Sequence, residues 1–335
     1  MEISLPLVVI VVILAVSFDF INGFHDTANA IATSVSTKAL PPRIAVILAA
    51  VMNFVGALTF TGVAKTIGGK IADPTTLQFG VIVVIATLIA AISWNLITWW
   101  YGIPSSSSHA LIGSLVGAVI ASAGLGSIHW SGFAEIFRGL IISPVIALVA
   151  GFIIMNLIYL LFRKLAPPPT KANRGFRYFQ ILTASLQAFT HGTNDAQKAM
   201  GIIVFALVAA GLQSDPAHIP FWVQFICALA MGLGTSVGGW KIIKTVAGKI
   251  TKIQPINGAT ADLTSATIIL TFTKLGLPVS TTHVISSAIM GVGSAKRLKG
   301  VNWGVAKRIV ITWFITLPIS ALIAAVVYWI LSLFM

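Results

Sequence analysis

Charge is what this sequence has least of. Asp, Glu, Lys and Arg together supply 9% of its 335 residues, against roughly 25% in a soluble domain. A water-soluble helical fold needs a polar outer face on most of its helices, and so few charges exclude it. Acidic residues are scarcest, with 8 Asp and Glu against 21 Lys and Arg, for a net charge of +13. In a soluble chain that excess would raise the question of nucleic acid. Here the basic residues fall in short connections, where they set orientation in a bilayer, and no nucleic-acid partner is expected. The single cysteine, Cys227 in FWVQFICALA, excludes an intrachain disulfide and reads as a small packing residue. No close set of His, Cys and acid shows the spacing of a metal cofactor site. No nucleophile set is evident either, so the chain is not expected to be an enzyme and no cofactor is expected.

What is present is apolar sequence from end to end. Hydrophobic residues make up 57% of the chain, and the mean hydropathy is +0.97. Apolar runs recur, such as Leu5–Val16, Ile44–Phe60, Leu140–Phe162 and Ile309–Met335, and several reach the roughly 20 residues that cross a bilayer once their small and hydroxyl neighbours are included. The chain is therefore read as an all-α polytopic membrane protein. Glu2 leads directly into apolar sequence without a basic flank, which reads as a retained first span. Trp99, Trp100 and Tyr101 mark an interface belt.

Two polar stretches interrupt this pattern, and they are related. SFDFINGFHDTANAIATSVSTK begins at Ser17 and SLQAFTHGTNDAQKA begins at Ser185. Aligning Gly23 with Gly192 puts Asp26 on Asp195, Asn22 on His191 and Asn29 on Lys198. GIPSSSSH at 102–109 matches GLPVSTTH at 276–283 in the same order. Trp130 with Trp303, and Pro144 with Pro318, continue the match. The chain thus reads as two repeats, 1–162 and 179–335, joined by a basic proline-containing linker at 163–178. The basic segments 38–43, 163–177, 241–252 and 296–308 fall on one side if each half crosses an odd number of times. The repeats are then inverted, with both termini outside. Asn22–Gly23 is expected to break the first polar helix into two halves.

Carboxylates at membrane depth are costly and usually line an ion or proton route. Asp26 and Asp195 recur in both halves among amides and hydroxyls, which suits a hard cation or a proton. The serines and threonines of the two SxxH stretches are placed to start helices, whose free N–H groups attract an anion. Two such termini facing each other would suit a tetrahedral oxyanion. Lys198 could balance Asp195 or meet that anion. Gln187 and Gln197 are read as further ligands or as helix–helix hydrogen bonds, and His109 and His283 as residues that orient their loops.

GFHDTANAIA and HGTNDAQKAMG resemble the paired acidic signatures of the inorganic phosphate transporters of the PiT family. GIPSSSSH and GLPVSTTH resemble that family's paired hairpin motifs. The resemblance covers essentially the whole chain. It implies phosphate uptake by symport with sodium ions or protons, two inverted-topology repeats with broken helices and re-entrant helical hairpins, about 10–12 transmembrane segments, and a possible homodimer. It ties Asn22, Asp26, Asn29, Asn194, Asp195, Lys198, Ser105–Ser108 and Ser280–Thr282 to phosphate and cation binding. Phe24–His25 departs from the usual alanine–asparagine pair.

The expectation is a plasma-membrane, multi-pass importer of inorganic phosphate coupled to sodium. Phosphate is assigned to Asn22, Asn194, Lys198, Ser105, Ser106, Ser107, Ser280, Thr281 and Thr282. The cation is assigned to Asp26, Asn29, Asp195, Ser108 and Thr282, with sodium at Asp26 and Asp195. Proton coupling is the alternative; an anion channel or a sulfate transporter ranks below it.

Overall fold

The computed structural model describes residues 5–77, 79–165, 168–239, 242–243, 245–246 and 250–334. Residues 241, 244 and 247–249 of the basic segment expected at 241–252, with three of its four lysines, lie outside them. Among the described residues the secondary structure is helical, apart from one isolated antiparallel bridge between Thr251 and Val301. The first half contains α1 (Leu5–Ser36), α2 (Pro42–Ala57), α3 (Gly62–Gly69), α4 (Gly80–Trp100), α5 (Ser107–Ala123) and α6 (Trp130–Leu165). The second contains α7 (Pro169–Ala209), α8 (Phe221–Val237), α9 (Pro255–Lys274), α10 (Thr281–Ser294) and α11 (Trp303–Ser332). Residues 169–178 of the expected linker are thus the first turns of α7.

Among the described residues, four helices, α1, α4, α6 and α11, are long and apolar enough to cross a membrane. Helices α2 and α3 meet at 66° across a short break and together are long and apolar enough to do so. Helices α6 and α11 bury least and turn Ile142, Val145, Val149, Phe314, Leu322 and Trp329 outward, as lipid-facing helices do. Pro144 and Pro318 lie inside these two helices at matched positions.

Helices α5 and α10 have 17 and 14 residues. At 1.5 Å per residue they reach about 25 and 21 Å, short of a hydrocarbon core about 30 Å thick. Each follows a longer helix through a turn with a left-handed glycine, Gly102 (φ 64°) and Gly276 (φ 70°). Each starts on a serine N-cap: Ser106 accepts from His109 N at 3.1 Å and Ser280 from His283 N at 3.2 Å. Both starts are fully buried. They are the tips of two hairpins that end inside the protein.

The two halves interlock reciprocally. Helix α1 packs on α8 and α7 on α2; α5 packs on α11 and α10 on α6. The glycines explain how closely. A Cβ on Gly117 would strike Ala321 O of α11, and one on the matched Gly291 would strike Leu148 O of α6. The same holds for Gly23 against Met231 O of α8 and Gly192 against Asn53 O of α2. Small residues let backbones approach where lipid supplies no hydrophobic drive.

This packing corrects one expectation. Helix α1 runs unbroken through Asn22–Gly23, and α7 runs unbroken through Gly192. Gly23 serves close helix contact rather than a break, and the sharp bend lies between α2 and α3. Helices α1 and α7 are also antiparallel. Asn22 meets Asp195, while fifteen residues on, just past the end of α1, Thr37 meets Gln180 on the earlier part of α7. Equivalent helices running in opposite directions are what an inverted repeat requires.

Candidate functional site

The site lies where α1 and α7 cross the tips of α5 and α10. Ser107 Oγ donates to Asp26 Oδ2 at 2.5 Å. In the other half, the matched Thr281 Oγ1 donates to Asp195 Oδ2 at 3.1 Å. Thr282 crosses over, donating to Asp26 Oδ1 at 3.1 Å and accepting from Asn29 Nδ2 at 2.9 Å. Asn22 Nδ2 reaches Asp195 Oδ2 at 3.4 Å, and Lys198 Nζ reaches Asp195 Oδ1 at 2.7 Å. All of these side chains are buried.

His25, where the family resemblance leads one to expect an amide, contacts Asp26 Oδ1 through Nδ1 at 2.6 Å. Its Nε2 lies 3.2 Å from Thr98 Oγ1, which in turn lies 2.7 Å from Ser105 Oγ. Ser105 thus belongs to the support of His25.

The remaining expected residues sit one step away. Ser106 and Ser280 spend their oxygens capping their own helices. Ser108 Oγ donates to Val279 O at 2.7 Å and ties one tip to the other. Asn194 latches the turn before α10: its Nδ2 donates to Thr273 Oγ1 at 2.9 Å and to Leu277 O at 3.4 Å, and its Oδ1 accepts from Val279 N at 3.2 Å. Gln197 Oε1 accepts from Val63 N at 2.7 Å and Ala64 N at 3.1 Å. It therefore caps α3. Gln187 Oε1 accepts from Ser265 Oγ at 2.6 Å, a helix–helix bond. The rings of His109 and His283 lie 4.6 Å apart.

Asp26, His191 and Asp195 each offer a ligand atom within 4.8 Å of the others. The orientation of His191 follows from its partners. Thr235 Oγ1 donates to Met231 O at 2.8 Å and so accepts from Asn53 Nδ2 at 2.9 Å. Asn53 Nδ2 also donates to Thr27 Oγ1 at 2.9 Å. With its amino group spent, Asn53 presents Oδ1 to His191 Nδ1 at 3.0 Å. That ring nitrogen carries the hydrogen. In the neutral ring, Nε2 then turns a lone pair toward Asp195 Oδ2, 3.4 Å away. Lone pairs from two carboxylates and an imidazole converge, and only a positive charge makes that favourable. Lys198 supplies one charge against two aspartates.

Sequence reasoning gave His191 no role beyond its place in the repeat and overlooked Asn53. It also passed over Asp262, whose Oδ1 accepts from Thr33 Oγ1 at 2.6 Å. With Thr37 and Gln180, bonded at 2.6 Å, Asp262 extends a buried polar file from the site along α1. A lone polar residue inside an apolar run was the available signal for Asn53; for Asp262 it was a single acid in the otherwise uncharged stretch 253–273. An apolar cavity of about 770 Å³ lies between α6 and α11, walled by Leu140, Pro144, Trp313 and Pro318. It touches the site only through His109 and His283, and its lining is unsuited to an oxyanion.

The chain matches the model of the phosphate transporter family over residues 22–324. It is 64% identical, over 99% of both chains, to a protein of Bacillus subtilis described as a probable low-affinity inorganic phosphate transporter. It is 45% identical to a protein of Rhizobium meliloti with the same description, over 97% of this chain and 96% of that one. A solved structure described as the sodium-dependent phosphate transporter aligns with a TM-score of 0.89 and 28% identity, covering 99% of this chain and 100% of that one. With paired acidic helices and hairpin tips meeting in an all-helical membrane fold, the chain belongs to the phosphate transporter family.

Proposed function

We propose that the protein imports inorganic phosphate by symport with sodium ions, using alternating access across the plasma membrane. The observation that carries this reading is the convergence of Asp26, His191 and Asp195 within 4.8 Å, directly beneath the buried starts of α5 and α10. Carboxylates from both halves supply oxygen ligands for a hard cation. The helix starts and Lys198 supply donors and positive field for an anion.

The hydrogen bonds suggest how the two substrates depend on each other. Ser107 and Thr281 donate to the same aspartates that would hold the cation. A cation takes over those lone pairs. The two hydroxyls are then free to turn toward phosphate, and the positive charge favours the anion. Cation and phosphate binding become mutually strengthening, as thermodynamic linkage requires. The file through Thr33, Asp262 and Gln180 leads toward Lys38 and Arg43, on the side that the basic connections assign to the cytoplasm. Both termini then lie outside. The solved relative's description names sodium dependence, which supports sodium as the coupling ion. Assembly as a homodimer is part of the same reading.

Proton coupling is the second reading, favoured by the 2.6 Å contact between His25 and Asp26. Labelled phosphate uptake into proteoliposomes separates the two, with sodium and pH gradients imposed one at a time. Accumulation on a sodium gradient at equal pH is expected. Accumulation on a pH gradient alone would make the aspartates proton carriers. Equilibration without accumulation would indicate a channel and overturn symport.

A further inference from the structure

The apolar cavity of about 770 Å³ between α6 and α11 has the size of a ligand site, and it opens sideways. Phe137 and Val145 on its α6 wall and Phe314 on its α11 wall are exposed, so lipid reaches it. Its floor is one stripe of α10, formed by His283, Ser287 and Met290, spaced as residues that share a helix face. On α11 the lining runs at least from Lys307 to Pro318. At 1.5 Å per residue that is about 16 Å, close to the roughly 15 Å of one leaflet, half of a hydrocarbon core about 30 Å thick.

One end of this groove is charged. Lys307 lines it, exposed, one turn after the half-exposed Trp303. Among the described residues no carboxylate pairs with Lys307. Trp303 Nε1 donates to Leu298 O at 2.8 Å, which holds the chain at Leu298–Lys299 against the start of α11. The segment 296–308 carries Lys296, Arg297, Lys299, Lys307 and Arg308 and no acid. Such a segment lies on the cytoplasmic side, where the leaflet is rich in anionic lipid.

We propose that this groove holds one anionic phospholipid, with an acyl chain along the α10 stripe and the phosphate at Lys307. The chain fills an apolar slot one leaflet deep, and the phosphate gives Lys307 the counter-charge that the protein withholds. Helix α10 begins at Thr281 and Thr282, whose hydroxyls donate to Asp195 and Asp26. The lipid therefore packs on the helix that presents these hydroxyls to the site, a physical link between membrane composition and the site.

The test is native mass spectrometry of the purified protein, titrated with phosphatidylglycerol or with phosphatidylcholine of the same chains. One phosphatidylglycerol per chain is expected, bound about tenfold or more tightly than phosphatidylcholine. Lys307→Ala is expected to remove most of that preference. Val310→Trp, whose ring fills the groove from α11, is expected to weaken both lipids about tenfold. Equal affinity for the two lipids in wild type overturns the proposal, and so does a preference that Lys307→Ala leaves unchanged. If Val310→Trp does not fold, phosphatidylglycerol with brominated chains locates the chain instead. It should quench the fluorescence of Trp313, read as the difference between wild type and Trp313→Phe, and no such difference overturns the proposal. In phosphatidylglycerol vesicles, a Val310→Cys protein that cross-links to the same position of a second copy would put protein, not lipid, over the groove and overturn it as well.

Discussion

Ser107 at the start of α5 donates to Asp26 of α1 at 2.5 Å, and the matched Thr281 makes the equivalent bond to Asp195 of α7. The hairpin tips are thus bound to the carboxylates proposed to hold the cation, by groups that an oxyanion would also use. Ser107→Ala and Thr281→Val remove those donors while leaving the carboxylates. Each is expected to raise the phosphate KM about tenfold, equivalent to about 1.4 kcal/mol. The requirement for sodium should remain. Uptake measured against phosphate concentration at saturating sodium checks this; an unchanged KM in both variants would remove the tips from phosphate binding.

Gly117 and Gly291 let α5 and α10 lie against the backbones of α11 and α6. An added methyl meets carbonyl oxygen, not a movable side chain. Gly117→Ala and Gly291→Ala should each destabilise the folded protein by about 1–3 kcal/mol through overpacking. The readout is a lower thermal midpoint in detergent. If either variant is as stable as wild type, the reciprocal contact is looser than described.

Asn53 fixes the tautomer of His191 through a hydrogen bond of 3.0 Å. Asn53→Ala leaves His191 Nδ1, Thr27 and Thr235 short of a partner, a loss of about 1–3 kcal/mol. Sodium-dependent uptake should fall about tenfold or more with the protein still in the membrane. Uptake at the wild-type rate would show that the orientation of His191 does not matter.

Gln197 caps α3 through Val63 N and Ala64 N. Gln197→Leu leaves two buried N–H groups open, at about 1–3 kcal/mol each. Amide hydrogen exchange across Gly62–Gly69 should quicken, and exchange in α6 should not change. Equal protection in the variant would assign the cap to another group.

The paired motifs made the centre of the site legible, because a repeat that preserves Asp26 and Asp195 across an apolar chain has few structural explanations. The hydroxyl runs at 105–108 and 280–282 were legible as helix starts through their capping chemistry. Gly23 was misread. A glycine beside an asparagine looks the same in sequence whether it breaks a helix or seats one against another, and only the backbone of α8 decides between them. Gln197 shows the same limit: it stands in a functional motif, yet its carbonyl is spent on a neighbouring helix. Asn53 and His191 meet from opposite halves of the chain, and nothing local to either announces the contact.

The central claim is that cation and phosphate strengthen each other's binding through Asp26 and Asp195. Its most direct measurement is equilibrium binding of labelled phosphate to the purified protein over a range of sodium concentrations, in wild type, Asp26→Asn and Asp195→Asn. The account predicts that sodium increases wild-type phosphate affinity at least tenfold, about 1.4 kcal/mol of coupling, and that either substitution removes most of this increase. Phosphate affinity indifferent to sodium in wild type, or equally sodium-dependent in both variants, would contradict it.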